Sequence, residues 1–598
     1  MRTAPATATL ISREDLAFAT SDDLLTSLRD ISGLNLVGRG VGGRKVLLLR
    51  GMESRHSLIL VDGCRISSTD DIVGHSNFQY DWVPAQAVER IEVVRGPMSA
   101  LYGSEAMGGV VNIITRPVPA NWGGSVEFFG GAREDGRGGG SSGSSVSVAG
   151  PLGKKLGIRL STHARRVEDT PYTISAVESE LEGQELYGVN AVVSWQPVLN
   201  QRFELTVDRV DEDRWRDTIT TAKLPYRSTY DVRRQQIGLR WLPKFGTWTG
   251  TLNTYESRSD FVNITTNGVA PATAQFLNDR VADATASRPL GESHTLTLGG
   301  EWRRESLVHP SFTGGRDDAV HKAAFVQDEW RLTEPLRFVA ALRGDEHEYF
   351  GSQVSPRAYV VLEANKQLVV KGGYGSGFRA PTLKQSSPEY KFVGPHTFVG
   401  NADVRPESSD SYELSVRYEP AGSIGLTVAA FHNDVDDLIS TKAIARAARG
   451  YVYQYVNLDR ARIRGVETEL DWTPHKRLRL AASYTWLDAD DLSSNLHLPS
   501  RPDDRITASI RFDAIPQRLQ LMLGYEYTGK QWVRETTGES RMPAYSLLNA
   551  GIRWRVTQSH ELVLSLSNLA DTDLTAKSDD FGYAEPGRSA TLRWRYQF

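Results

Sequence analysis

The sequence predicts a membrane all-β protein. It reads as an antiparallel transmembrane β-barrel of about 22 strands, preceded by an α+β plug domain small enough to lie inside the lumen. Three observations predict this. First, the closing residues alternate strictly: Ala590, Leu592, Trp594, Tyr596 and Phe598 fall on one face, and Thr591, Arg593, Arg595 and Gln597 on the other. Strand side chains point alternately to opposite faces, and a membrane barrel turns the apolar face to lipid and the polar face to its lumen. Second, no apolar run approaches the ~18 residues that a spanning helix needs, and mean hydropathy is −0.37. A barrel tolerates both, because its strands average out. Third, the 53 Gly, 13 Trp and 22 Tyr suit many strands joined by tight turns and flanked by interfacial aromatics.

Residues 1–120 read differently from residues 121–598. Ser21-Asp22-Asp23-Leu24-Leu25-Thr26-Ser27-Leu28-Arg29 has a Ser cap, early acids and leucines at helical spacing, and predicts a short helix. Val46–Leu49 and Leu58–Val61 are compact apolar runs joined through Gly51–His56, and read as a buried hairpin. Ile91–Val94 and Val110–Ile114 are two further strands of this kind. Apolar on both faces, they predict a small α+β domain.

From about residue 121 the pattern turns to alternation. Ile506, Ala508, Ile510 and Phe512 alternate with Thr507, Ser509, Arg511 and Asp513, and Leu519, Leu521, Leu523, Tyr525 and Tyr527 share one face after the Pro516 turn. Connections alternate between tight turns such as 150–155 and long polar stretches such as 384–404, 436–455 and 571–588. That is the outer-membrane arrangement. Roughly 480 residues, at about 20–24 per strand and connection, make 20–24 strands.

Composition closes other routes. A formal net charge of −4 builds no field for nucleic acid. The single Cys64 forms no internal disulfide and no multi-thiolate zinc site, and reads as a small packed hydrophobe. Gly38-Arg39-Gly40-Val41-Gly42-Gly43 fits G-x-G-x-x-G, but a strand follows it where a dinucleotide fold needs a helix. The histidines show no catalytic or metal-protease spacing, so no catalytic residue, protein-bound metal or cofactor is expected. Asp345-Glu346-His347-Glu348 reads as a solvated charge cluster at a strand end. Met1–Leu10 carries no apolar secretory core and says nothing of export.

An ordered series of motifs then carries a resemblance. It runs Val46-Leu47-Leu48-Leu49-Arg50-Gly51, Leu58-Ile59-Leu60-Val61-Asp62-Gly63, Val88-Glu89-Arg90-Ile91-Glu92-Val93-Val94-Arg95-Gly96-Pro97, Leu101-Tyr102-Gly103-Ser104 and Gly108-Gly109-Val110-Val111-Asn112-Ile113-Ile114-Thr115. The later part adds Gly377-Phe378-Arg379-Ala380-Pro381, Asn401–Glu407, Tyr412-Glu413, Gly465-Val466-Glu467, Asn568-Leu569 and terminal Phe598. This resembles the TonB-dependent outer-membrane receptors, and Arg50-Gly51-Met52 with Thr69–Phe78 resembles their ferric-catecholate and colicin I receptor branch. The stretch 69–78 departs from the arginine-rich loop of enterobactin receptors, with Asp70, Asp71 and His75 instead.

The resemblance implies an outer-membrane protein, not an enzyme. It implies TonB-driven import of a ferric siderophore of catecholate type, with iron arriving inside the ligand. A receptor for haem or cobalamin, or for a colicin or phage, would use the same scaffold. It further implies a monomer in contact with outer-membrane lipid and lipopolysaccharide, TonB and its inner-membrane motor, and an assembly machinery that reads Phe598. Family members carry a signal peptide and a TonB box ahead of the plug. Neither is legible before Ala8-Thr9-Leu10-Ile11, which reads as the plug's opening strand.

The expected site follows. Arg50 and Arg95 end buried plug strands, and the resemblance implies that they pair with barrel-wall carboxylates, for which Glu413 and Glu467 are the candidates, as an ionic latch; left unpaired, such buried charges would be costly. Val46–Leu49 is expected to descend from a plug apex, the turn near Arg55 to lie on the periplasmic side, and Leu58–Val61 to climb back. Arg39, Arg44, His75 and Tyr80 would then face the extracellular vestibule, and Arg55 and His56 would not. Tyr390, Phe392, His396, Arg446, Arg449, Tyr451 and Tyr453 make an aromatic and cationic rim on the barrel loops.

Overall fold

The computed structural model describes residues 4–17, 24–38, 42–66, 83–173, 175–394, 396–446, 450–535, 538–581 and 583–598. Among them, 22 antiparallel strands close into one barrel. It begins at Gly123–Arg133 and ends at Ser589–Gln597, and these two strands pair from Ser589↔Arg133 to Gln597↔Ser125. Closure leaves no edge strand unpaired in lipid, which is why an open sheet could not sit there.

The alternation predicted for the last strand holds in three dimensions. Leu592 points outward and is 54% exposed, whereas Arg593 points inward and is buried. Trp594 stacks on Phe128 and Tyr596, and Tyr596 on Phe598, forming a continuous aromatic face near the short-turn end. The main chain of Phe598 exchanges two hydrogen bonds with Gly124. Inside the seam, Glu127 is buried and forms ion pairs with Arg593 and Arg595 at 3.3 and 2.7 Å. Strands turn in as few as two residues on one side, as between His475 and Leu478. On the other side they are joined by long loops, as between Ser567 and Ser589. The short side is periplasmic and the long side extracellular.

The lumen is filled by a plug built on a five-stranded sheet. Its strands are β1 (Thr7–Ser12), β4 (Ser57–Val61), β5 (Cys64–Arg65), β6 (Val88–Arg95) and β7 (Gly109–Thr115), in the order β1-β6-β7-β4-β5. β2 (Leu34–Gly38) and β3 (Lys45–Leu49) form a separate two-stranded ribbon. Leu34, Leu47, Leu49, Val93 and Val111 meet in one core, joined by Leu24 and Leu25 of the short helix α1 (Leu24–Ser27). The predicted Ser21 cap of that helix lies outside the described residues.

Three expectations are corrected here. Val46–Leu49 and Leu58–Val61 are not a hairpin: β3 pairs with β2, and β4 runs parallel to β7. The chain is diverted between them because Arg50, at φ 51°, turns its side chain to the barrel wall. The connection also runs the other way from the expected one. Glu53 meets Arg501 in a long-loop segment, and His56 meets Glu407 at the extracellular end of its strand. β4 then descends to Asp62, which receives the Thr115 amide, beside Arg116, whose carbonyl is held by Arg159 near the periplasmic turn. Arg55 and His56 therefore lie toward the extracellular end. Asp345-Glu346-His347-Glu348 is not wholly solvated either. Strand parity turns Asp345 and His347 into the lumen, where both are buried, and leaves Glu346 and Glu348 exposed.

Glu127 pairs with both seam arginines, and Glu561 shares Arg595 at 3.2 Å. Glu127→Ala should remove the carboxylate that faces the buried Arg593 and one of the two that hold Arg595, at a cost of about 3–5 kcal/mol. We expect a lower unfolding temperature of the detergent-solubilised barrel. Glu134→Ala, which breaks the exposed pair with Arg588 at 2.8 Å, should leave that temperature unchanged.

Candidate functional site

Three sets of contacts fix the plug against the barrel and shape the space above it. The first is a buried charge cluster at mid-height. Arg50 Nη1 donates to Glu413 at 2.5 Å, and Arg50 Nε and Nη2 each donate to Glu467 at 2.9 Å. The guanidinium also lies 4.5 Å over the Phe431 ring. Arg95 reaches Glu467 at 3.3 Å and Glu469 at 2.7 Å, and donates to the Ser32 carbonyl. Burial alone would lower the Arg50 pKa, but Glu467 and Glu413 outweigh it and hold the group above its ordinary value. Gly33 is required beneath this cluster: its φ is +71°, and a Cβ there would stand 1.9 Å from Glu467 Oε1.

The four residues expected to form a latch are thus in contact. Glu469 is a member that the sequence reading missed. Its signal was the Glu467-x-Glu469 spacing, which puts two carboxylates on one face of a strand.

The second set holds the plug's upper end. Arg44 is buried, forms a two-point pair with Glu182 at 2.9 Å, and lies 4.5 Å over Tyr230. This corrects its assignment as a vestibule cation for ligand, because Glu182 already engages its charge. Lys45 and Arg29 both reach Glu585 of the last extracellular loop, at 2.6 and 2.7 Å. Burial would raise the Glu585 pKa, but Arg29 and Lys45 reverse this and bring it to about 2. Tyr583 of the same loop packs on Gly38 so closely that a Cβ there would stand 1.9 Å from the ring. None of Glu182, Tyr583 and Glu585 was singled out from sequence. Each lies in a loop whose return onto the plug is a long-range event with no local pattern.

The third set lies on the extracellular loops. Phe392, His396, Phe398, Tyr451 and Tyr453 form one aromatic ladder. His396 stands 5.4 Å from Tyr453 and 6.4 Å from Tyr451, Phe398 stacks on Tyr453 at 5.4 Å, and Phe392 approaches Phe398 at 6.4 Å. Parallel pairing of Thr397–Val399 with Val452–Gln454 aligns them. Arg446 is exposed and pairs in register with Tyr451.

Tyr390 does not join this rim, which is a second correction. It is buried against Phe312 at 5.4 Å and His309 at 5.6 Å, because its loop folds back and packs Leu383 and Tyr390 into the mouth. Arg39, His75, Tyr80 and Arg449 lie outside the described residues.

Between plug and wall runs a cavity of about 530 Å³. It extends from Gly43, Glu182 and Glu585 above to Asp15, Asp471 and Arg511 below. The free side of β1 lines it with Thr9, Leu10 and Ile11. β1 is an edge strand, bonded only to β6 in the sheet. Among the described residues no group of three or more His, Cys, Asp or Glu is arranged to hold a metal ion. The Cys64 thiol is buried and pushed up to about 12, which leaves it unreactive.

Comparison with known proteins adds a frame. Residues 172–569 match the family "TonB dependent receptor-like, beta-barrel", and residues 1–110 match "TonB-dependent Receptor Plug Domain". An iron-regulated outer membrane virulence protein of Vibrio cholerae is 29% identical, over 98% of this chain and 92% of its own length. A ferric enterobactin receptor of Pseudomonas aeruginosa is 26% identical, over 97% and 91%. The solved structure of a mutant of the ferric enterobactin receptor PfeA from Pseudomonas aeruginosa, in complex with enterobactin, superposes with a TM-score of 0.89. It covers 100% of both chains at 22% identity.

Two outcomes are expected. Arg50→Met leaves the buried Glu413 without its guanidinium and Glu467 with Arg95 alone, at a cost of about 3–5 kcal/mol. We expect the plug to become protease-sensitive while the barrel stays folded, and the triple change with Glu413→Gln and Glu467→Gln to restore part of the protection. The second outcome concerns His309, whose pKa is lowered from 6.5 to about 4 by burial first and Lys384 second. The opened loop binds more protons in this window, so closure is complete above pH 6.5 and is lost as pH falls toward about 4. Hydrogen exchange of the Leu383–Tyr390 amides, corrected for intrinsic rates, should lose protection over that range, and His309→Phe should abolish the pH dependence.

Proposed function

The chain belongs to the TonB-dependent receptor family, plug and barrel together, and we propose that it imports a ferric siderophore of catecholate type across the bacterial outer membrane. The aromatic ladder on the extracellular loops carries the choice of ligand class. A ferric tris-catecholate is a bulky trianion walled by aromatic rings. His396, Tyr451, Tyr453 and Phe398 offer stacking faces, and Arg446 offers a cation beside them. Hydroxamate or corrin ligands present no comparable set of flat aryl faces.

Entry is then a sequence of positioning and release. The ladder captures the ligand at the mouth. Below it the plug fills the lumen, so passage needs plug movement rather than diffusion through a pore. β1 is the strand placed to move first. It is held by six paired residues on one side, lines the cavity on the other, and is the N-terminal element that TonB would draw on. Its removal would widen the 530 Å³ cavity that it lines. The buried charges around Arg50 and Arg95 resist this until work is done on them. Iron travels as cargo within the ligand, and no bond of the ligand needs to be made or broken. The family is one of receptors and transporters, and this reading keeps to that.

The test is binding of the purified protein to a panel of ferric tris-catecholate, ferric hydroxamate, haem and cobalamin, followed by intrinsic fluorescence. We expect saturable quenching by the catecholate alone. Tyr451→Ala with Tyr453→Ala should weaken it by about tenfold, the loss of two ring contacts. Preference for cobalamin or haem, or indifference of catecholate binding to the two substitutions, would overturn the assignment.

A further inference from the structure

β1 carries two threonines whose hydroxyls reach into the buried charge cluster. Thr7 Oγ1 donates to Glu413 Oε1 at 2.7 Å, while Arg50 Nη1 donates to the other oxygen, Oε2, at 2.5 Å. Glu413 therefore divides its carboxylate between β1 and Arg50. Two residues on, Thr9 Oγ1 accepts from Arg95 Nη2 at 2.8 Å. The strand period of two puts both hydroxyls on one face of β1. Arg95 is fully buried, and among the described residues its Nε has no hydrogen-bond partner. A further N–H left unmade on that guanidinium would add to an existing deficit.

The direction of β1 decides when these bonds are met. β4 descends and β7 runs parallel to it; β6 is antiparallel to β7 and climbs, and β1 is antiparallel to β6 and descends. Thr7 thus stands at the height of the cluster and Ser12 nearer the periplasm. Two wall contacts mark the ends. Glu413 lies eight residues from the periplasmic end of Glu407–Ala421. Asp15, just past β1, pairs at 2.5 Å with Arg511, which lies four residues from the periplasmic end of Asp504–Ile515. The chain ahead of Thr7 is held to the wall as well: the Ala6 carbonyl accepts from Lys371 at 3.2 Å, and the Pro5 carbonyl accepts from Arg357.

A pull from the periplasm on the N-terminal side of Thr7 acts on the upper end of a descending strand and folds it back on itself. Its pairs with β6 are then loaded one at a time from Thr7↔Arg95 onward, instead of all six together. The first hydroxyl to go is the one on Glu413. The second, two residues later, is the one on Arg95.

We propose that Thr7 and Thr9 are positioning residues for transport, which tie the withdrawal of β1 to the loosening of the charge cluster. Peeling three residues removes both hydroxyls while the lower half of β1 is still paired. Glu413 then keeps Arg50, and Arg95 keeps Glu467, Glu469 and the Ser32 carbonyl, so the cluster is weakened before any of its ion pairs is broken. Thr9 lines the cavity of about 530 Å³, so the place it vacates opens to that space. The proposal rests on the TonB-driven reading above and not on the choice of siderophore.

The test pulls the N-terminus of the full-length receptor, reconstituted in lipid, from the periplasmic side by force spectroscopy. Thr7→Val with Thr9→Val keeps the β-branched shape and removes both hydroxyls. We expect its first rupture to be roughly tenfold or more faster at a given force, the loss of two hydrogen bonds to charged groups. Thr7→Ser with Thr9→Ser should restore the original rate. Thr7→Val placed on Glu413→Gln should change the rate by less than Thr7→Val alone, because its partner has already lost its charge. An unchanged unfolding temperature of the barrel certifies the folding of each variant. An unchanged first rupture in the Val variant, equal rates in the Val and Ser variants, or full additivity of Thr7→Val with Glu413→Gln would overturn the proposal. Preference for haem or cobalamin in the ligand panel would leave these results standing, and their failure would leave the ligand assignment in place.

Discussion

The structure depends on the contact of Arg50 with Glu413 and Glu467. A polar plug inside a polar lumen cannot be held by apolar burial alone, because the barrel turns its hydrophobic face to lipid. The join is made instead by charges removed from water. Each such group is costly to leave unpaired, so the plug is held in one register against one wall. Arg50 directly follows β3, and the chain turns there toward the wall instead of continuing into the expected hairpin. Gly33 is needed beneath it, and Arg95 extends the same cluster to Glu469. The path of the plug follows from where this arginine must go.

The same physics makes the join releasable. A large apolar interface resists separation in proportion to its area and offers no point of attack. Charge pairs are short-ranged and strong in a dry interior, and water replaces their partners once it enters. The cavity beside β1 brings space to the edge of this cluster. The upper contacts, Arg44 with Glu182 and Lys45 with Glu585, tie the plug to the extracellular loops by the same means. Ligand held by those loops and force applied at β1 would thus act on one connected body.

The barrel was legible because alternation is a local property: Ala590 to Phe598 can be assigned to two faces without knowing any neighbour. Arg50 and Arg95 were legible for a different reason. A charge at the end of a buried apolar strand demands a partner, and the resemblance to the receptor family pointed to carboxylates of the barrel wall. What remained hidden depends on pairing between distant segments. Nothing local tells whether β3 joins β2 or β4, and the wrong choice reversed the placement of Arg55 and His56. Tyr390 and Phe392 have similar surroundings in sequence. One is buried and the other exposed because the loop folds back on Phe312. Asp345 and His347 were read as part of a run of four, when strand parity divides that run into two faces.

The claim that the buried charges hold the plug until work is done on it predicts a separation between binding and transport. Uptake of radiolabelled ferric tris-catecholate by intact cells expressing this receptor, with and without TonB, measures that most directly. The account predicts surface binding in both strains and accumulation only where TonB is present and the inner-membrane proton gradient is intact. Accumulation at the same rate in cells lacking TonB would contradict it.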